Sequence, residues 1–226
     1  MGRSRVLPCA ALALALPLAG AATGVAAPAA RAGPPPLRRP PAAGPGEQVL
    51  LTRAEALREI FGDPGRVVED RWRLAPDEVA ALEARAGDRV PDPTPATLRV
   101  YAPDGSLLGY AMVLDERGKY RPITFMVGVG PDLAVRGVEV LVYREDRGGE
   151  VRYPRFLDQY RGKTTSDPIR THRDIVNVTG ATISVHALND GVRRALAIFG
   201  LVYGGKGRQP VSSAPLDLAS DAGVHG

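Results

Sequence analysis

Between residues 48 and 203 the spacing of apolar positions changes from helical to strand-like and back, and each change predicts a different element. Thr52 and Glu55 stand in a T-x-x-E pattern ahead of Leu57, Ile60 and Phe61. That is the pattern of a capping box, in which each side chain satisfies the other residue's free backbone N–H at the start of a helix. Gly62 and Pro64 stop this helix. A second helix is expected over residues 76–86, with Pro76 in its first turn and Gly87 past its end. Pro91, Pro93 and Pro95 interrupt the chain again. Strand-like segments follow at residues 98–101, 107–114, 123–129 and 138–143, with turn signals at Asp104-Gly105 and Arg117-Gly118-Lys119. Short turns between successive strands give an antiparallel meander. Helical spacing then returns, first as a short helix over residues 153–160. A long helix is expected over residues 183–202, where Val185, Leu188, Val192, Leu196 and Phe199 recur every three or four residues. Gly200 and the glycines at 204 and 205 mark its end. Helices on either side of an antiparallel meander make an α+β domain.

Outside residues 48–203 the pattern fades, which limits the chain of 226 residues to one expected domain. Residues 1–30 read as an export signal: Arg3 and Arg5, then an uncharged Ala- and Leu-rich stretch, then small residues such as Ala27 and Ala29. The competing reading is a retained membrane anchor, since the uncharged run is long enough to span a bilayer. Pro8, Pro17 and Pro28 weigh against the anchor. Residues 31–47 form a Pro-rich linker, and residues 204–226 read as a tail without structure. Cys9, the single cysteine, falls inside the export segment. A mature chain without it has no disulfide, no cysteine-held iron–sulfur cluster and no CxxCH haem.

The formal net charge of +4 comes from 29 basic and 25 acidic residues scattered among one another, with no basic run interleaved with aromatics, so nucleic acid is not an expected partner. His172 and His186 lack a third ligand at metal-site spacing, and no metal is expected.

The candidate chemistry lies in Val178-Thr179-Gly180-Ala181-Thr182-Ile183-Ser184, immediately before the long helix. Small residues allow a ligand close to the backbone. The first turn of a helix presents free N–H groups and a partial positive charge, where a phosphate is well placed. Read from the residues alone, the alternative is ordinary helix capping by Thr179 or Thr182.

The T-G-A-T-I-S segment resembles the S/T-G-A-T flavinylation motif of FMN-binding domains. Such domains occur in the flavin-carrying subunits of sodium-pumping NADH:quinone reductase and of the related Rnf complex, and in small exported flavoproteins. Two further segments resemble the same family in order and spacing: residues 143–150, YREDRGGE, and residues 156–163, FLDQYRGK. The resemblance spans residues 95–200 or so. It implies FMN carried through a phosphoester on Thr182, with Thr179, Gly180 and Ala181 read by a dedicated flavin transferase outside the cytoplasm and Ser184 close behind. It also implies a ring environment made by Glu145, Gly148, Gly149, Phe156 and Tyr160, with Lys163 near the phosphate. The residues by themselves leave alternatives open. The glycine pair is equally a turn, Glu145 a solvated or paired acid, and Phe156 and Tyr160 a core-packing pair four residues apart. Val176 stands where the family often has Asp.

The function so implied is an exported, periplasmic or membrane-facing electron carrier, with a flavin transferase and a redox protein or membrane complex as partners. The rival readings are a sensor module that binds FMN without a covalent link, and a hydrolase using Thr182 or Ser184 with His186 as base. The hydrolase lacks a G-x-S-x-G elbow and an acid placed to orient His186.

Overall fold

The computed structural model describes residues 48–205 and 207–218. Packing divides the chain into Met1–Leu37 and Arg38–Gly226, and every described residue belongs to the second unit. The expected export segment and Pro-rich linker lie outside the described residues.

In chain order the elements are β1 (Gln48–Val49), α1 (Arg53–Phe61), β2 (Arg66–Arg71), α2 (Pro76–Ala86), β3 (Ala96–Tyr101), β4 (Leu107–Arg117), β5 (Pro122–Val129), β6 (Val135–Tyr143), α3 (Pro154–Leu157), α4 (Thr182–Tyr203) and β7 (Ser212–Pro215). The strands form a seven-stranded sheet in the order β1-β6-β5-β4-β3-β2-β7, every pairing antiparallel. The expected meander is its centre, β3 to β6. The α+β class expected from the pattern is the class observed. The short helix expected over 153–160 is α3 extended by a 3₁₀ turn at Asp158–Tyr160.

Both faces of the sheet are covered. On one side α1 lays Leu57, Ile60 and Phe61 against Leu98, Val100, Ala111, Met126 and Leu141. On the other, α4 lays Val185, Leu188, Val192 and Phe199 against Phe125, Val127, Val129 and Val140. β5 alternates between the two cores, so Pro122 alone in that strand is exposed. The capping box of α1 forms as expected: Glu55 N–H donates to Thr52 Oγ1 at 3.2 Å, and Thr52 N–H donates to Glu55 Oε2 at 2.8 Å. No helix among the described residues is long and apolar enough to cross a membrane.

Three strands were not legible in the pattern. β1 has two residues. In β2 only Val67 and Asp70 are buried, and a buried acid breaks the apolar alternation that marks a strand. Asp70 is tolerated because it is fully bonded: Arg99 donates to it from Nε at 2.6 Å and Nη2 at 2.8 Å, Ser213 Oγ at 2.6 Å and Tyr203 Oη at 3.2 Å. β7 lies within the segment expected to have no structure. Its four residues are all exposed and pair with β2 through the backbone, so no apolar periodicity announces it.

Candidate functional site

α4 starts at Thr182, with Ala181 at the N-cap and no side chain capping the free N–H groups of the first turn. Neither Thr179 nor Thr182 takes the capping role that the residues alone left open. Both are exposed, whereas Ala181 and Ser184 are buried. The Thr182 hydroxyl accepts a hydrogen bond from Asn177 Nδ2 at 3.2 Å. Asn177 Oδ1 is buried and has no hydrogen-bond partner among the described residues.

Beside this helix terminus lies an open cleft of about 420 Å³, within the range of small-molecule sites. One wall is the loop that follows β6: Tyr143 at the strand end, then residues 145–150. The opposing residues are Thr179 and Gly180, and Gln48, Arg152 and Tyr153 complete the lining. The structure therefore brings together Glu145, Gly148, Gly149, Thr179 and Gly180 of the residues singled out in the sequence. Ala181, Thr182 and Ser184 follow directly in the chain.

The loop is held at both ends. Glu145 Oε1 accepts from the backbone N–H of Tyr120 at 2.6 Å and of Arg121 at 2.9 Å, tying it to the β4–β5 turn. Gly148 sits at φ +80°, and a Cβ there would lie 3.2 Å from Ala181 Cα. Only glycine meets both conditions without strain. Tyr143 Oη donates to Arg147 O at 2.7 Å and lies 3.1 Å from Ser184 Oγ. Burial raises the Tyr143 phenol above its ordinary pKa, with the Ser184 hydrogen bond pulling the other way. The lining mixes signs: Glu145, Asp146 and Glu150 with Arg147 and Arg152. Arg152 donates to Gln48 Oε1.

Phe156, Tyr160 and Lys163 do not line this cleft. Phe156 and Tyr160 pack edge to face in the core, ring centres 5.9 Å apart, and the Tyr160 hydroxyl donates to Asn189 Oδ1 at 2.7 Å. Their four-residue spacing was a core signature. Lys163 Nζ pairs with Asp174 Oδ2 at 2.8 Å. Asp174 also accepts the N–H groups of Ile169 and Arg170, so this pair braces the loop leading to Thr179. Tyr143, which opens the 143–150 segment, was given no role of its own in the sequence, and neither were Asn177 and Tyr153. Tyr143 reads as one more apolar strand position, and only its place at the strand end, against the glycine loop, distinguishes it. His186 is exposed and makes no hydrogen bond with Thr182, Ser184 or any carboxylate among the described residues, so the hydrolase constellation is not assembled there.

An open cleft with a glycine wall, beside the uncapped start of a long helix, offers room and N–H donors of the kind that suit a small phosphorylated molecule. Residues 118–197 match the FMN-binding domain family. The match runs from the β4–β5 turn into α4 and contains every residue lining the cleft except Gln48. Among solved structures, the chain is similar to the crystal structure of Shewanella oneidensis NqrC, with 17% identity and a TM-score of 0.39 over 60% of this chain. The likeness spans 65% of that chain's length. No curated protein sequence matches the chain.

Proposed function

We propose that this protein is an exported flavoprotein that carries FMN through a phosphoester on Thr182 and passes electrons without turning over a substrate of its own. One observation carries the proposal: within the family match, an exposed Thr182 hydroxyl stands on the uncapped first turn of a 22-residue helix, next to the cleft.

The residues present fit the group. The free N–H groups of the α4 first turn suit a phosphate, contributing ~0.3–1 kcal/mol in an exposed setting. That positions the phosphate, while the ester bond anchors it. The unpartnered Asn177 Oδ1, beside the Thr182 hydroxyl, marks polar capacity that the polypeptide leaves unfilled. Tyr143, Tyr153 and the glycine loop offer the cleft an aromatic and backbone lining suited to a flat ring. When bound, FMN supplies the redox chemistry, and the protein sets its position and surroundings.

A flavin transferase installs the group, and a redox protein or a membrane electron-transfer complex exchanges electrons with it. A covalent link suits a carrier outside the cytoplasm, where a released cofactor would be lost. The export reading rests on the order of basic, apolar and small residues in positions 1–30.

The test is co-expression with a flavin transferase, followed by denaturing electrophoresis with fluorescence detection and by peptide and intact-mass spectrometry of the exported protein. Yellow colour that survives denaturation and maps to Thr182 supports the proposal. Flavin that washes away on unfolding supports the sensor alternative. A mature terminus at Met1 or Gly2 overturns cleavage of the leader.

A further inference from the structure

We infer that Tyr143 is a positioning residue whose hydroxyl fixes the two walls of the flavin cleft against each other. The inference rests on the FMN reading proposed above.

Tyr143 is the last residue of β6 and is 2% exposed. A phenol has one proton to donate. At 2.7 Å that proton goes to the Arg147 carbonyl, which leaves the phenol oxygen to accept from Ser184 Oγ at 3.1 Å. Arg147 lies on the cleft loop and Ser184 on the first turn of α4. One buried hydroxyl thus bridges the loop that forms one wall and the helix that follows the other. The same joint is packed as well as bonded. A methyl group on Gly148 would lie 3.1 Å from Tyr143 Oη and 3.2 Å from both Ala181 Cα and Cβ. The loop therefore rests directly on the N-cap of α4, with the tyrosine hydroxyl at the seam.

Among the described residues, no hydrogen bond joins Glu145, Glu150 or Arg152 to α4. Glu145 anchors the beginning of the loop to the β4–β5 turn rather than to α4. Arg152, beyond its end, donates to Gln48 on β1. The separation of Gly148 and Gly149 from Thr179 and Gly180 is accordingly set by the Tyr143 joint. Burial raises the phenol's pKa, so the hydroxyl stays protonated and able to donate and accept at once throughout the neutral range.

The experiment compares full-length wild type, Tyr143→Phe, Ser184→Ala and the double variant, each with and without flavin installed by a transferase. Tyr143→Phe keeps the buried ring and removes both hydrogen bonds. In flavin-free protein, amide exchange at residues 146–149 is expected to accelerate about tenfold, the scale of one lost hydrogen bond. Ser184→Ala leaves the bond to Arg147 and is expected to accelerate the same amides by about threefold or less. The double variant should match Tyr143→Phe, because both substitutions break one joint. In flavin-loaded protein, Tyr143→Phe should keep covalent label on Thr182 while changing the visible circular dichroism and the midpoint potential of the flavin. A purely structural role would leave those flavin signals unmoved. Exchange, dichroism and potential all equal to wild type in Tyr143→Phe would overturn the inference. If Tyr143→Phe does not fold, Ser184→Ala decides: exchange at residues 146–149 within about twofold of wild type overturns the inference, and an acceleration of about threefold supports it. A wild type that takes no flavin defeats the FMN reading alone, since the flavin-free exchange measurement still judges the joint.

Discussion

Thr182 shows how much one residue owes to its place. Its hydroxyl is chemically the same as that of Thr179, and both are exposed. The difference is that Thr182 belongs to the first turn of α4, whose N–H groups no side chain caps and which would suit a phosphate, whereas Thr179 precedes it on the cleft wall. Thr182→Ala is expected to abolish covalent flavin with the fold intact, because an exposed methyl replaces an exposed hydroxyl. Thr179→Ala keeps the acceptor and is expected to slow labelling rather than end it. Peptide mass spectrometry after co-expression with a flavin transferase checks both, and covalent FMN persisting in Thr182→Ala would end the assignment. Gly148→Ala tests the wall itself. It places a side chain at φ +80° and presses its Cβ toward the backbone of Ala181. We expect a loss of ~1–3 kcal/mol in urea unfolding, and a wild-type midpoint would show that the loop does not rest on the helix. These positions were legible in the sequence because small residues and threonines sit where a strong helical pattern begins. Phe156 and Tyr160 were legible only as an ambiguity, since a shared helical face looks the same whether it meets a ligand or a core. Tyr143 was hidden for a related reason: strand alternation marks a side chain as buried without saying that its hydroxyl bonds across a seam.

At the level of elements, α4 is positioned by how closely it can approach the sheet. A Cβ on Gly191 would lie 2.5 Å from Phe125 Cζ and 2.8 Å from Glu116 Cγ, and Phe125 is fully buried with no room to yield. Gly191→Ala is therefore expected to destabilise the protein by ~1–3 kcal/mol, although alanine is the better helix former by ~1 kcal/mol. Gly200, on the same helix, provides the control. A Cβ there meets only Thr165 Cγ2 at 3.8 Å, an ordinary contact. Gly200→Ala should stabilise by ~0.5–1 kcal/mol. Thermal melts of the two variants should move in opposite directions, and a shift of the same sign in both would refute the packing argument. The sequence reads Gly200 as a mark of the helix end, but α4 runs through it to Tyr203, and only packing separates it from Gly191. The central meander and the long helices were legible because their apolar spacing follows from burial of one or both faces. The sheet edges were not: β2 hides behind the bonded acid Asp70, and β7 is held by backbone pairing alone.

For the molecule as a whole, the ionisable groups that folding perturbs make stability depend on pH in a direction that net charge would not suggest. Burial pushes Glu116 from an ordinary 4.5 up to about 7, against the pull of Arg194 and with Asp88 and Asp190 adding to the rise. Burial, followed by the like charges of Glu59 and Asp158, pushes Glu139 up to about 7, with Arg161 opposing. Between pH 4.5 and 7 the folded protein therefore holds protons at these sites that the unfolded chain has released. Stability is full below that window and falls as pH rises through it. Glu78 acts in the opposite sense. Hydrogen bonds from Arg208 and the Ala75 N–H lower it to about 2, so its contribution is present above pH 4.5 and is lost as pH falls toward 2. The two trends oppose each other: the buried glutamates favour the acid side, and Glu78 resists it as pH falls below 4.5. Glu139 is the cleaner probe, because Glu116 is engaged with Arg194 in a buried pair. Glu139→Gln removes its titration, so the variant should lose less stability than wild type between pH 5 and pH 8. We expect a difference of ~2 kcal/mol at pH 8, the size of a shift of this kind after allowance for partial exposure. Urea unfolding of both proteins at the two pH values measures it. Parallel losses in wild type and variant would show that Glu139 ionises in the folded state as readily as in the unfolded one, and that its partial burial on β6 leaves its charge fully solvated.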